Sequence, residues 1–291
     1  MKIVRFQHGA TTQMGVLSND SVTPLTGFAD MQALIAAWPV ATTTSSSTAA
    51  LPLSEVKLVA PIVPTRNVFC VGWNYLKHYD ESVGKREGQE VDLPDRPTLF
   101  TKLPTTVIGP FDDVPLHEAH TSRLDWEVEL AVVIGKEGRD ISEANALDHV
   151  FGYTIGNDIS ARDLQRAHGA QWFKGKSLDG TCPLGPVLVT ADEIPDPQAL
   201  AIQCLVNGEI MQDSHTQRQI FSVRRVIAEL SAGLTLLPGD VILTGTPEGI
   251  GNARTPPVYL KDGDVVECVV EKIGKIQNTI RAGLLAPANQ L

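Results

Sequence analysis

The stretch Asp125-Trp126-Glu127-Val128-Glu129-Leu130-Ala131-Val132-Val133-Ile134-Gly135 constrains the fold more than any other segment. Trp126, Val128 and Leu130 alternate with Asp125, Glu127 and Glu129. That is the two-residue period of a pleated strand. The segment then turns continuously apolar through Ile134, as a strand does on entering a core. Glu127 and Glu129 therefore share one face, about 7 Å apart along the strand. Two carboxylates at the mouth of a buried strand are costly unless a positive charge sits between them. A hard divalent cation suits that position, since Mg²⁺ and Ca²⁺ take oxygen ligands. The plain alternative is a solvated strand face with Lys or Arg neighbours.

The 291 residues suffice for one large domain, or one large and one small. At 43% hydrophobic and 20% charged, the composition is that of a globular chain. No apolar run approaches the roughly 18 residues of a membrane helix, and the first nine residues lack a signal peptide's apolar core. Cys70, Cys182, Cys204 and Cys268 are widely spaced, which predicts free buried thiols and a cytoplasmic protein. A net charge of −10 argues against broad nucleic-acid binding, though a local cation can still draw an anionic substrate into a cleft.

The pattern predicts a hairpin over 2–7 and 12–17, then a helix from Met31 to Trp38 capped by Asp30. Ala41 to Ala50 is a small polar run that reads as a loop or linker. The boundary of a small N-terminal domain (1–60) is placed just after it, near residues 50–60, with the larger domain over 61–291. Short strands are expected at Val56–Val59, Val68–Val71, Leu99–Lys102, Phe151–Ile155, Pro186–Val189, Ile202–Val206, Val241–Thr244 and Val265–Glu271. Helices are expected after Ser142 (Glu143–His149) and over Ile220–Leu230, the latter closed by Gly233. Many short strands, few long helices and frequent Gly/Pro turns point to a β-rich α+β fold.

Asp158 follows a strand-like segment and can supply a third carboxylate, or simply cap a turn. Three carboxylates plus waters make a plausible Mg²⁺ or Mn²⁺ site. His78 and Glu81 stand three apart, so one helical turn lets them touch. A carboxylate-held His is a familiar general base. Residues 73–95 read as a short helix followed by a loop, with 78–95 expected to act as a lid. Lys174-Gly175-Lys176-Ser177 fails the phosphate-loop pattern, because Ala170 stands where Gly is needed.

The ordered motifs Val71-Gly72-Trp73-Asn74-Tyr75…His78…Glu81, Pro97–Lys102, Asp125–Leu130, Gly152–Asp163, Gly175–Asp179, Cys182–Pro186 and Leu243–Gly251 resemble the fumarylacetoacetate hydrolase family. The resemblance covers about residues 65–280. It implies a mixed β-roll catalytic domain behind a small N-terminal α+β domain, a homodimer, and a Mg²⁺ or Mn²⁺ cofactor. It assigns Glu127, Glu129 and Asp158 to the metal, and Lys176, His78 and Glu81 to catalysis. Lys102, Gln165 and Thr246 become substrate contacts. Trp73, Gly156 and Gln219 depart from common family forms and bear on the substrate's side chain.

The expected reaction is metal-assisted C–C cleavage of a 2,4-diketo acid such as an acylpyruvate, giving pyruvate and a carboxylic acid. His78 would deprotonate the attacking water and Lys176 would stabilise the developing oxyanion. The alternative is decarboxylation of oxaloacetate-like acids, or isomerisation or hydration of unsaturated 2-oxo acids, at the same site. A binding protein without turnover is the reading from another class. In every case the partner is a small 2-oxo acid.

Overall fold

A computed structural model describes residues 1–38, 49–86, 92–169 and 171–284. Most of the expected linker (41–48) and the lid residues 87–91 lie outside the described residues. The chain is an α+β fold built on two large sheets and a two-stranded ribbon. The larger runs, in spatial order, Leu51–Pro52, Ser21–Leu25, Thr11–Ser18, Lys2–His8, Cys182–Thr190, Val150–Asn157, Val128–Ile134, Val241–Leu243, Val68–Gly72 and Thr98–Lys102. The smaller runs Glu209–His215, Ala201–Val206, Val265–Val270, Gly274–Arg281 and Val114–Pro115. No helix among the described residues is long and apolar enough to cross a membrane.

The pivotal strand explains the layering. Val128, Leu130, Val132 and Ile134 face the main core, shared with Ile202, Cys204, Val266 and Cys268 of the smaller sheet. Ala131 and Val133 face a second core with Leu34 and Ile35 of helix α1 (Met31–Ala36). Both faces are therefore dry, which is why the strand becomes continuously apolar. Helix α1 is capped as expected, Asp30 accepting from Ala33 N–H at 2.7 Å, but it ends at Ala36 rather than Trp38.

The hairpin is present as Lys2–His8 and Thr11–Ser18. Its first strand pairs with Cys182–Thr190 (Lys2 opposite Val189), so the N-terminal segment extends the large sheet. All four cysteines are free and buried.

Three expectations change. The pivotal strand is broken: Leu124–Asp125 pairs with Ser160–Ala161, Val128–Ile134 pairs with Val150–Asn157, and Trp126 and Glu127 lie between. Ser142 precedes a 3₁₀ segment over Glu143–His149 and makes no side-chain cap bond. The expected strand Pro186–Val189 runs from Cys182 to Thr190, with a register shift against the neighbouring strand between Tyr153 and Ile155. The strands Ser21–Leu25, Glu209–His215 and Gly274–Arg281 carry less local signal; Pro24 disguises the first.

Candidate metal and proton-transfer site

The break in the pivotal strand makes the site. Asp158 N–H donates to Glu127 O at 2.9 Å, and Glu127 N–H donates to the Asn157 side chain at 3.1 Å. Glu127 and Asp158 thus leave the ladder together, opposite one another, while Glu129 remains on the strand. One carboxylate oxygen from each of Glu127, Glu129 and Asp158 lies within 4.8 Å of the others, and all three residues are buried.

Cations arrive from helix α3 (Arg162–Ala167), helix α4 (Phe173–Lys176) and the strand Thr98–Lys102, while helix α2 (Leu76–Glu81) carries His78. Arg162 grips Asp125 at 2.9 Å and Glu127 at 2.6 Å. The ammonium of Lys176 bridges Glu127 (2.6 Å) and Asp158 (2.7 Å). Lys102 lies 2.9 Å from the other oxygen of Asp158. Asp125 also accepts the N–H groups of Gly251 (2.7 Å) and Asn252 (3.0 Å). Lys176 reaches its place because Gly175 lies against α3. A Cβ there would sit 2.3 Å from Gln165 N and 2.6 Å from Ala161 O, both backbone atoms. Gly175→Ala is therefore expected to cost about 1–3 kcal/mol and to lower activity by displacing Lys176. Thermal denaturation and steady-state kinetics would check both effects.

The four buried carboxylates, Asp125, Glu127, Glu129 and Asp158, face three buried cations, Lys102, Arg162 and Lys176. If all are ionised, one negative charge is in excess. It falls at Glu129, whose described polar partner is the Gly245 N–H at 2.5 Å. Burial, then Asp158 and Glu127, push the Glu129 carboxyl well above the usual range. Burial also works to raise Glu127, but Arg162 and Lys176 outweigh it and hold that group well below the usual range. Burial works to lower Lys176, but Asp158 and Glu127 outweigh it and raise its pKa, so it stays an ammonium. An uncompensated carboxylate among three converging oxygens is what a hard divalent ion neutralises. The residues present fit Mg²⁺ or Mn²⁺. With the ion at 100 times its Kd, stabilisation of about 2.7 kcal/mol is expected. That is roughly a 5–10 °C rise in Tm for a chain of this size. A thermal-shift titration checks it, and Glu129→Gln should remove most of the rise.

His78 faces the same cleft. Its Nδ1 is 2.9 Å from Glu81 Oε1, and Glu81 Oε2 accepts the Gly249 N–H at 2.8 Å. The carboxylate thereby orients the ring. The cleft, about 580 Å³ including its open mouth, is lined by His78, Glu127, Glu129, Lys176, Gln165 and Thr246. Trp73, Phe100 and Trp172 form an aromatic wall beside them. Lys85, Arg86, Arg162 and Arg166 add positive charge. Gln165 accepts from Arg162 at 3.1 Å. Thr246 donates to Val128 O at 3.0 Å and accepts from Gln212 at 2.8 Å.

Lys102 departs from the expected substrate contact. It is fully buried, and its ammonium lies 2.9 Å from Asp158 and donates to Ile159 O at 3.1 Å, behind the carboxylates rather than in the cleft. Gln219 is likewise away from the cleft wall, donating to Thr244 Oγ1 and accepting from Gln198, both at 2.8 Å. Sequence reasoning passed over Asp125 and Arg162, although both stand inside quoted motifs. The available signal was an Arg one residue past a short strand that pairs with Asp125. It also passed over Asn74, Lys85, Arg86 and Trp172, which carry no local mark of function.

Residues 67–281 match the family described as fumarylacetoacetate (FAA) hydrolase C-terminal, and residues 1–61 match Rv2993c-like, N-terminal. Oxaloacetate tautomerase YisK of Bacillus subtilis is 52% identical over 229 residues, 78% of this chain and 74% of that protein. The human mitochondrial oxaloacetate tautomerase FAHD2B is 48% identical over 231 residues, 79% of this chain and 71% of that protein. The structure of a fumarylacetoacetate hydrolase from Exiguobacterium antarcticum superposes with a TM-score of 0.86 at 42% identity, covering 97% of this chain and 99% of that one. A 5-carboxymethyl-2-hydroxymuconate delta-isomerase from Mycobacterium smegmatis gives 0.78 at 33% identity, covering 97% and 100%. With the motifs in order and the carboxylates gathered at one cleft, the chain belongs to the fumarylacetoacetate hydrolase family.

Proposed function

We propose that this chain catalyses keto–enol tautomerisation of a small 2-oxo dicarboxylic acid such as oxaloacetate, at a Mg²⁺ or Mn²⁺ site formed by Glu127, Glu129 and Asp158. The observation that carries it is a carboxylate-oriented imidazole facing three converging carboxylates, with Arg162 and Lys176 paired to them. Lys176 is locked as an ammonium by Glu127 and Asp158, so it acts by charge rather than as an amine nucleophile. Burial pushes the Cys182 thiol up to about 12 and Cys70 well above its usual value, so neither supplies a thiolate. Proton transfer is the chemistry left to these side chains. The names carried by the bacterial and human relatives support the same reaction. The Lys85 ammonium on the cleft wall suits an anionic substrate.

In this mechanism a bound divalent ion supplies Lewis-acid stabilisation of a 2-oxo acid's oxygens. The chain's own groups do the rest. His78, oriented by Glu81, takes a proton from C3 of the keto form, and one proton is returned to the C2 oxygen, so the atoms balance. Lys176 stabilises negative charge on the oxygen as it develops. Trp73, Phe100 and Trp172 limit water. We keep the homodimer as part of this reading, an implication of the resemblance that sedimentation would check.

The second reading is acylpyruvate hydrolysis, favoured by the same His78–Glu81 pair, which is equally suited to activating a water. One assay decides between them. Enol oxaloacetate and an acylpyruvate are each incubated with Mg²⁺ or Mn²⁺, with an EDTA control. Metal-dependent loss of enol absorbance with oxaloacetate intact is the expected result. Release of pyruvate and a carboxylic acid from the acylpyruvate alone establishes hydrolysis instead, and CO₂ from oxaloacetate establishes decarboxylation.

A further inference from the structure

We propose that Asn74 is a positioning residue that ties the helix carrying His78 to the peptide group holding Glu129. This rests on the reading of Glu127, Glu129 and Asp158 as a metal site. Asn74 is fully buried, and its side chain belongs to no ligand or base. Its amide donates to Thr244 O at 2.7 Å and to Phe221 O at 2.9 Å, and its carbonyl accepts from Phe221 N–H at 2.7 Å. Both amide hydrogens are thus used. The Asn74 backbone carbonyl also accepts from Ile220 N–H at 2.7 Å.

The Thr244 carbonyl and the Gly245 N–H belong to one planar peptide unit. Asn74 grips the oxygen of that plane, and the N–H on its other side donates to Glu129 Oε2 at 2.5 Å. Turning the plane to satisfy one partner therefore turns it for the other. A hydrogen bond accepted at the carbonyl also polarises the N–H of the same amide. The contact is close: a Cβ on Gly245 would lie 2.6 Å from the Asn74 Cβ, and Gly245 has φ +99°. Only glycine suits that backbone.

Helix α2 begins immediately after Asn74, with Tyr75 as its cap residue. Its far end is held by the same loop, through Gly249 N–H to Glu81 at 2.8 Å. Residues 244–249 therefore hold the proton-transfer pair at both ends while presenting an N–H to a metal carboxylate. An ion that fixes Glu129 fixes this peptide plane, and through Asn74 the root of α2. By linkage the coupling is reciprocal.

The test uses the whole chain with Mn²⁺ and two readouts besides activity: Mn²⁺ affinity, and hydrogen exchange of residues 75–82. In the native chain, Mn²⁺ is expected to slow exchange at 75–82. Asn74→Asp keeps the shape but puts an oxygen against two carbonyls. It is expected to weaken Mn²⁺ binding tenfold or more and to abolish the metal-dependent slowing at 75–82. Asn74→Ser provides the milder comparison if the aspartate variant does not fold, and is expected to change both readouts in the same direction. A native chain that binds Mn²⁺ without any change at 75–82 overturns the proposal while leaving the metal site standing. So do variants that lose Tm yet keep Mn²⁺ affinity within twofold. A native chain that binds no Mn²⁺ overturns the metal reading, and the proposal with it.

Discussion

Replacing Lys176 with methionine is expected to lower turnover by about 10²–10³, the loss typical of removing one preorganised donor to a developing oxyanion. The substitution keeps volume and removes the charge that bridges Glu127 and Asp158. Glu127 then keeps only Arg162 and Asp158 only Lys102 as buried cations, so the variant is expected to bind Mn²⁺ at least as tightly as the native chain. That combination separates Lys176 from the metal carboxylates, whose loss would lower turnover and affinity together. Turnover close to native in steady-state assays would remove Lys176 from the mechanism.

Arg162→Leu is expected to have the largest effect on stability. Arg162 is buried and holds both Asp125 and Glu127. Removing one side of a buried ion pair costs about 3–5 kcal/mol, because the other charge is left without compensation. At roughly 2–4 °C per kcal/mol for a chain this long, Tm should fall by roughly 6–20 °C. Adding Asp125→Asn should recover part of the loss, since the stranded carboxylate is what costs. An unchanged Tm for Arg162→Leu would mean that backbone donors suffice for Asp125 and Lys176 for Glu127.

Local patterns in the chain were legible because their periods are local. Alternation over 125–130 placed Glu127 and Glu129 on one side, and the three-residue spacing of His78 and Glu81 let one helical turn bring them to 2.9 Å. Gly233 terminates helix α5 (Val223–Ser231) at φ +72°, as a glycine at that place should. The break at Trp126–Glu127 was not legible. It is set by Asn157, the last residue of the neighbouring strand, and Asp158 just past it, which bond to Glu127 across it. Lys102 reads from its motif as a substrate contact, yet the packing of its strand puts it behind Asp158. Nor does a local pattern distinguish Asn74, whose partners are 147 and 170 residues away.

The sequence by itself determined which side chains could do chemistry here: an alternating acidic strand, a His–Glu turn and a lysine behind glycine. Their order along the chain identified the family. Only the tertiary structure decided how their charges balance. Three cations and several backbone N–H groups converge from distant segments, and Coulomb and desolvation energies depend on separation and burial in space rather than on position in the chain.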